Sequence, residues 1–553
     1  MTSSSLPWWQ TGVIYQIYPR SFKDTTGNGV GDLWGVIEKL DYVSDLLGVD
    51  AIWLSPFYPS PQADFGYDVA DYTDVDPLYG KLDTFDELVR EAHRRDVKVI
   101  IDLVPNHTSD RHPWFIESRS ARDNPKRDWY IWADPRPDGS PPNNWLSVFG
   151  GSAWEWDEAS KQYYLHSFLK EQPDLNWRNP EVKDAMFDVV RFWLERDVDG
   201  FRVDVAHYIM KDPQLRDNPV DPRAAKSIHR SLGDYDSQFH AHDHGHPDVH
   251  AVYRELRQVL DSYSQERPRV SLGEIHIFDW EEWASYYGES LDELHMPFNF
   301  GLLGAGWDAQ SVRDVVESVE AVLLAQAWPN YVLGNHDEPR LATRHGRDEA
   351  RVAAMLLLTL RGTPTLYYGD EIGMTDGKIP PHRQQDPWVM DTAEMGRDPC
   401  RTPMQWTAEP NAGFSPPEIE ELWLPLSDDY VSVNVERQMA NPTSILNLYR
   451  RLLAYRREMP VLSQGSCQIL DGVPETCFVF VREDSGHRRA GGERILVALN
   501  FSDRDQNLCL PELGRGNVAI STGLNRTGAV DLSTFSLRGN EGVIVELVHQ
   551  PDT

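Results

Sequence analysis

Four short stretches of this sequence place a carboxylate at a predicted strand end, three of them with an arginine or an imidazole in the same stretch. They are Asp102-Leu-Val-Pro-Asn-His107, Gly200-Phe-Arg-Val-Asp-Val-Ala-His207, Gly273-Glu-Ile275 and Asn335-His-Asp337. Each closes a run of apolar, largely β-branched residues, so each acid falls at or just past the end of a predicted strand. Side chains two apart on a strand share a face, which puts Arg202 beside Asp204. A guanidinium at that range favours the ionised carboxylate, the form a nucleophile needs. Cleaving a glycosidic bond with retention takes one such carboxylate and a second carboxyl of raised pKa, about 5 to 5.5 Å away. Asp204 and Glu274 suit these roles if their strands are neighbours. Any one of these acids alone is accounted for by a helix cap or a surface charge. Four clusters, each at a strand end, point to a site.

The elements that must position them follow a βα rhythm. Predicted strands are Val13–Tyr18, Ala51–Leu54, Lys98–Leu103, Gly200–Val203, Arg269–Gly273, Glu293–Met296, Tyr331–Leu333 and Pro364–Tyr367. Helical patterns lie between them at Val36–Leu47, Thr84–Arg95, Pro180–Arg196, Ala309–Leu323 and Asp348–Leu360, and a further one at Thr443–Arg456 follows the last strand. Eight strands with intervening helices predict an α/β fold, a (β/α)8 TIM barrel whose catalytic groups sit at the C-terminal strand ends. Residues 1–103 and 173–460 form the expected barrel. Residues 104–172, rich in Trp, Pro, Asn and Gly, are expected to form an inserted small domain after strand 3. A second long loop, 369–441, is expected to wall the pocket. Residues 461–553 change to short alternating runs and predict a C-terminal antiparallel β domain.

Composition narrows the function classes. The 553 residues exceed one compact core, so two or three domains are expected. Asp and Glu number 87 against 53 Lys and Arg, a formal charge of −34, which disfavours nucleic acid and anionic membrane as partners. Cys400, Cys467, Cys477 and Cys509 are scattered, without metal-ligand spacing, and read as free thiols in a reducing compartment. The start lacks a basic, apolar leader, and no 18-residue apolar run occurs, so a cytoplasmic, membrane-free protein is expected.

Together these segments resemble the α-amylase superfamily (glycoside hydrolase family 13), within it the α-glucosidase and oligo-1,6-glucosidase branch. The resemblance runs from the Trp8-Trp9 stretch to the C-terminal β region. It implies a retaining, exo-acting α-glucosidase that acts on short α-glucosides such as maltose, isomaltose or sucrose and needs no cofactor for catalysis. A transglucosidase or sucrose isomerase using the same glucosyl-enzyme intermediate is the alternative. Asp204 matches the nucleophile, Glu274 the general acid/base and Asp337 the acid that holds the 2- and 3-hydroxyls. Arg202 matches the arginine that orients the nucleophile, while His107 and His336 match histidines that hydrogen-bond the glucosyl unit. Asp64 and Tyr67, in Ala63-Asp-Phe-Gly-Tyr-Asp68, match residues that bind and stack on the terminal glucose. Arg401, in Cys400-Arg-Thr-Pro-Met-Gln-Trp406, matches the arginine that closes this blind end with Asp64. Val205, next to the nucleophile, matches a position where Val tends to accompany α-1,6 activity and Ala or Thr α-1,4 activity.

The loop Asp24-Thr-Thr-Gly-Asn-Gly-Val-Gly-Asp32 alternates oxygen side chains with glycines, as calcium loops do. It resembles the single-ion loop of many α-glucosidases. Asp24, Thr26, Asn28, Asp32 and the Val30 carbonyl are the implied ligands of a structural Ca2+ or Mg2+. Thr26 and Asn28 depart from the commoner Asn and Asp, which removes one carboxylate.

Overall fold

Near-continuous apolar runs without polar alternation make strands that are covered on both faces. Ile14–Ile17 (β1), Ala51–Leu54 (β2) and Lys98–Leu103 (β3) are of this kind in the computed structural model, which describes residues 6–220, 232–390, 396–484 and 493–548. After β3 the chain forms a small antiparallel sheet from Trp132–Ala133 (β4), Trp154–Asp157 (β5) and Gln162–Leu165 (β6), in the order β4-β6-β5. Parallel strands then resume with Gly200–Val203 (β7), Val270–Gly273 (β8), Met296–Asn299 (β9), Asn330–Tyr331 (β10) and Thr365–Tyr367 (β11). Their order, β10-β9-β8-β7-β3-β2-β1-β11, together with a parallel bridge from Val332 to Thr365, brings the two edges of the eight-stranded sheet together as a barrel. Ile14, Trp53, Ile100, Leu272 and Phe298 fill its interior.

Helices pack outside. The one at Pro180–Leu194 starts where the Asn179 side chain accepts from the Glu181 N–H and Pro180 fills the first turn. It turns Val182, Met186, Val190 and Trp193 inward. Three expected elements differ, among them the strand expected at Tyr331–Leu333, which lies at Asn330–Tyr331 with Val332 joined to Thr365 by an isolated bridge. The helix expected at Val36–Leu47 is an α-helix at Leu33–Glu38, capped by Asp32, followed by a π-helical segment at Tyr42–Leu47 that ends on left-handed Gly48. The strand expected at Glu293–Met296 lies at Met296–Asn299. Pro297, which has no N–H to give, is of a type seldom found inside a central strand. It is tolerated opposite Gly273, while Glu293 precedes the strand and pairs with His250 and Arg254.

The C-terminal strands Ser466–Ile469 (β12), Cys477–Glu483 (β13), Arg494–Asn500 (β14), Gln506–Leu508 (β15), Arg515–Ser521 (β16), Gly528–Asp531 (β17), Phe535–Leu537 (β18) and Gly542–Leu547 (β19) form antiparallel sheets. Six make one sheet in the order β12-β13-β14-β19-β16-β17, and β15 pairs with β18. Arg482, fully buried on β13, donates to the carbonyls of Thr359 and Leu462 and so ties this sheet to the barrel's last helices. All four cysteines are free thiols, Cys400 and Cys477 buried. Among the described residues no helix is long and apolar enough to cross a membrane.

Candidate active site

Strand register brings the acids together. Asp102 on β3 lies opposite Arg202 on β7, and Val203 opposite Gly273 on β8. Asp204 and Glu274 are therefore the first residues beyond two adjacent strands, and their N–H groups still reach the Leu103 and Val203 carbonyls. Arg202, 3% exposed, donates to Asp102 Oδ1 at 2.6 Å, Asp204 Oδ1 at 2.7 Å and Glu274 Oε2 at 2.5 Å. One rigid fork thus sets the spacing of three carboxylates, as a flexible ammonium would not. The Trp53 indole donates to Asp102 Oδ2 and lies under the guanidinium.

Burial pushes the Asp204 carboxyl well above the usual range; Arg202 opposes this, and the charges of Glu274 and Asp102 add to it. Burial acts on Glu274 too, but Arg202 and His276 prevail and hold it below the usual carboxylate range. The causes are visible in the donors: Glu274 receives Arg202, the Val205 N–H at 2.9 Å and His276 Nε2 at 2.7 Å, whereas Asp204 receives Arg202. Glu274 is thus the better supplied with donors, and Asp204 relies on Arg202 alone among these groups to favour its ionised form.

The Val205 N–H reaches Glu274 because the chain leaves β7 through a left-handed turn, with φ 34° and ψ 50° at Val205. That backbone is unfavourable for a β-branched residue and is held by its surroundings. The turn also swings the Val205 side chain into the cavity wall, in an apolar cluster with Val148, Tyr208 and Tyr235.

The stretch from Ala63 to Asp68 is a loop clasped by Asp68, which accepts from the N–H groups of Ala63 and Asp64 and from the Ser60 hydroxyl. Gly66, at φ 106° against Pro56, allows the tight turn. Asp64 and Tyr67 are thereby delivered to the cavity. Tyr67 stacks on His336 at 5.4 Å and 6°, and its hydroxyl meets His336 Nε2 at 2.6 Å. His336 Nδ1 meets the Gln16 amide at 2.8 Å, and burial lowers this histidine to about 3. His107 is lowered to about 4, also by burial, and its Nε2 faces the Tyr67 carbonyl and the Gln172 amide.

The expected pairing of Asp64 with Arg401 is corrected by the structure. Asp64 Oδ1 is bound by Arg397, at 2.6 Å, and its Oδ2 by Gln172 at 3.1 Å. Arg397 also grips Asp386 and reaches Asp337 at 3.1 Å, with its guanidinium over Trp388 and Phe149. Arg401, fully buried, backs Asp337 at 2.7 Å and donates to the His336 carbonyl. The two arginines sit one turn apart across the 3-10 turn Asp398–Arg401, so both reach Asp337 while Arg397 alone continues to Asp64. Burial disfavours an ionised Asp337, but His336, Arg397 and Arg401 outweigh it and keep it charged.

These groups open onto a cavity of about 1050 Å³. Asp64, Tyr67, His107, Asp204, Glu274 and Asp337 line it, while Arg202, His336 and Arg401 stand behind them. Sequence reasoning missed Arg397, Gln172 and His276. Gln172 opens a stretch whose Trp177 packs, 5% exposed, with its indole donating to the Pro105 carbonyl. His276 follows Glu274 by two, the same strand-parity signal that flagged Arg202, and stacks on Phe300 at 4.5 Å.

In the loop of residues 24–32, Asp24 accepts from the N–H groups of Thr26, Gly27 and Gly29 and from the Ser415 hydroxyl. Asp32 accepts from Thr25 and caps the following helix through the Gly35 N–H. Both acids are buried, and among the described residues neither forms an ion pair with Lys or Arg. Thr26 and Asn28 are exposed, the Thr26 hydroxyl donating to Asp24 Oδ1 and the Asn28 side-chain oxygen accepting from the Val30 N–H.

A parallel barrel with paired carboxylates at adjacent C-terminal strand ends is the layout of a sugar-cleaving enzyme. The catalytic-domain model of the α-amylases matches residues 16–465, and this chain belongs to that family of glycoside hydrolases. It is 42% identical to a protein of Rhizobium meliloti (strain 1021) named "Probable alpha-glucosidase", over 92% of this chain and 93% of that one. To the oligo-1,6-glucosidase of Heyndrickxia coagulans it is 38% identical, over 91% and 94%. Among solved structures, the α-glucosyl transfer enzyme XgtA superposes with a TM-score of 0.91 at 44% identity, covering 98% of this chain and 100% of its own.

Proposed function

We propose that the protein is a retaining, exo-acting α-glucosidase releasing terminal glucose from short α-glucosides. The observation that carries this reading is the Arg202 fork joining Asp204 and Glu274 at the mouth of a cavity whose other side holds the Asp64–Arg397 pair. Asp204 attacks the anomeric carbon, and Glu274 protonates the leaving oxygen and later activates water. For this Asp204 reacts ionised, the form the Arg202 guanidinium favours, and Glu274 reacts protonated, giving its proton to the leaving oxygen and regaining one from the attacking water. Asp337, held ionised by Arg397 and Arg401, stabilises the positive charge that develops on the sugar. Tyr67 offers its face to the apolar side of the pyranose. Asp64 and Arg397 offer an acceptor and a donor to the hydroxyls of a non-reducing end, a pair that would leave no path for a longer chain.

Exo-action predicts that maltotriose and maltotetraose lose one glucose at a time and that starch is a poor substrate. Chromatography of early products decides this, and rapid maltotriose release from starch would sink it. The same chromatograms, run at high maltose or sucrose with an added alcohol, read the alternative outcome of transfer. That alternative is favoured by the likeness to XgtA and, at 33% identity and TM-score 0.87, to a trehalulose synthase from Pseudomonas mesoacidophila MX-45.

Linkage preference is proposed to depend on Val205, whose side chain borders the cavity beside Glu274. Val205→Thr keeps the shape and exchanges a methyl for a hydroxyl, so the turn is retained while the contact with the leaving sugar changes. The expected result is appreciable isomaltose activity in the parent and a shift of the maltose-to-isomaltose ratio of kcat/KM toward maltose in the variant, by roughly 5- to 100-fold. An unchanged ratio returns Val205 to a packing role.

The loop of residues 24–32 is proposed as a structural Ca2+ or Mg2+ site, supported by two buried acids without Lys or Arg partners and an all-oxygen donor set. An occupied site predicts a lower Tm in EDTA, restored by CaCl2 or MgCl2 in excess. An identical Tm under all three conditions leaves the loop as an ion-free turn held by its own hydrogen bonds. The division of the chain at residues 103, 172 and 460 is likewise a proposal, drawn from where the separate sheets begin and end. A reducing, cytoplasmic setting is supported by the four free thiols.

A further inference from the structure

A file of imidazoles leads away from Glu274 along one side of the cavity. His276 holds Glu274; His207 lies 6.1 Å from His276 and 5.1 Å from His244, which lies 5.5 Å from His240. The end of this file is built differently from its start. His240, Asp243 and His244 bring one ligand atom each to within 4.8 Å of one another. We propose that these three side chains form a binding site for a divalent transition-metal ion of the zinc or nickel class, with its remaining positions open to the cavity.

The first support is the orientation of His240. Its Nε2 faces the Tyr235 carbonyl at 2.9 Å, and a carbonyl only accepts, so Nε2 carries the hydrogen. Nδ1 then points at Asp243 Oδ2, 2.6 Å away, a contact that a proton closes as a hydrogen bond in the metal-free protein and that a metal ion taking both atoms as ligands would replace. Stacking on Tyr235 at 3.8 Å and 20° fixes the ring. A second nitrogen donated to a backbone carbonyl is how proteins aim a metal-binding histidine.

The second support is Asp243. Its side chain is 8% exposed, and among the described residues Oδ1 has no hydrogen-bond partner of good geometry, the Asn218 amide lying close by. The nearby Asn218 amide donates at 3.4 Å to Gln238. A buried carboxylate oxygen so weakly served is costly, and a bound cation would relieve that cost. His244 completes the set. Its ring lines the cavity wall, and neither nitrogen has a hydrogen-bond partner among the described residues. Two imidazoles and a carboxylate with open positions suit Zn2+, Ni2+ or Cu2+ better than Ca2+ or Mg2+.

The experiment titrates the full-length, EDTA-stripped protein with ZnCl2 by calorimetry, in excess CaCl2 so that the loop of residues 24–32 does not report. One saturable site is expected, with affinity lowered roughly 100-fold or more in His244→Ala and in Asp243→Asn. CoCl2 gives a second readout, since tetrahedral or five-coordinate Co2+ held by imidazole absorbs strongly in the visible and aqueous Co2+ does not. Circular dichroism checks that each variant is folded, and for a variant that is not, His240→Gln takes its place. Undiminished zinc affinity in the folded variants, or no saturable binding and no cobalt band below about 1 mM metal, overturns the proposal. One consequence rests on the α-glucosidase reading: zinc at this site should raise KM for disaccharides by crowding the leaving sugar. Because binding is read by heat and absorbance, failure of that reading leaves the metal result standing, and the reverse.

Discussion

Replacing Asp204 with Asn is expected to abolish turnover of every α-glucoside, with kcat falling by about four orders of magnitude or more, because a neutral amide cannot form the covalent intermediate. Glu274→Gln is expected to behave differently. It removes proton donation to the leaving oxygen but leaves the nucleophile in place, so a p-nitrophenyl or dinitrophenyl α-glucoside, whose phenolate leaves with little help, should still glycosylate the enzyme. The check compares both variants on an aryl glucoside and on maltose. Asp204→Asn should be inactive on both, whereas Glu274→Gln should retain far more of its activity on the aryl substrate than on the disaccharide. Equal residual activity of the two variants on the aryl glucoside would contradict the assigned roles. Arg202 joins both acids, so the geometry makes them partners without saying which one attacks; this comparison does.

Arg397→Ala is expected to have the second largest effect. Arg397 is 6% exposed and serves Asp64, Asp337 and Asp386 together. Its removal leaves Asp64 and Asp386 buried without a cation, and breaking a buried pair in this way costs about 3 to 5 kcal/mol. Asp337 keeps Arg401, so the acid beside the sugar stays ionised. The expected outcome is a lower Tm and a loss of kcat/KM of roughly a thousandfold, with part of the Tm but little of the activity returned by Arg397→Lys, which restores charge without the fork. Thermal melts and kcat/KM on maltose measure both. A change in kcat/KM below tenfold for Arg397→Ala would show that the Asp64–Arg397 pair is structural and would withdraw the closed-end reading.

What could be read from the chain was local. Asp204, Glu274 and Asp337 stood out because a strand end is a short-range pattern: a few β-branched residues, a period of two and an acid at the terminus. β2, β3 and β7 begin and end where they were expected for the same reason. β9 lies further along the chain than expected, carrying Pro297 opposite Gly273, a pairing that only the neighbouring strand decides.

Where the chain crosses itself, spacing carries no such information. Arg397 and Arg401 lie one turn apart in one short motif, and either could close a pocket. Asp64 is far from both in sequence, and only the folding of the loop of residues 369–441 over the barrel mouth decides that Arg397 meets it while Arg401 turns inward behind Asp337. His276 and the His240–Asp243–His244 group were equally silent, because a histidine's partners lie on other elements and its residue type says only that it can bind something. The sequence by itself determined which elements form and which acids stand at their ends, since backbone periodicity and side-chain polarity act within a few residues. The tertiary structure alone decided which cation neutralises which acid. Those pairings depend on distances of 2.5 to 3.2 Å between groups such as Arg202, Glu274, Arg397 and Asp64, set by the packing of the whole barrel.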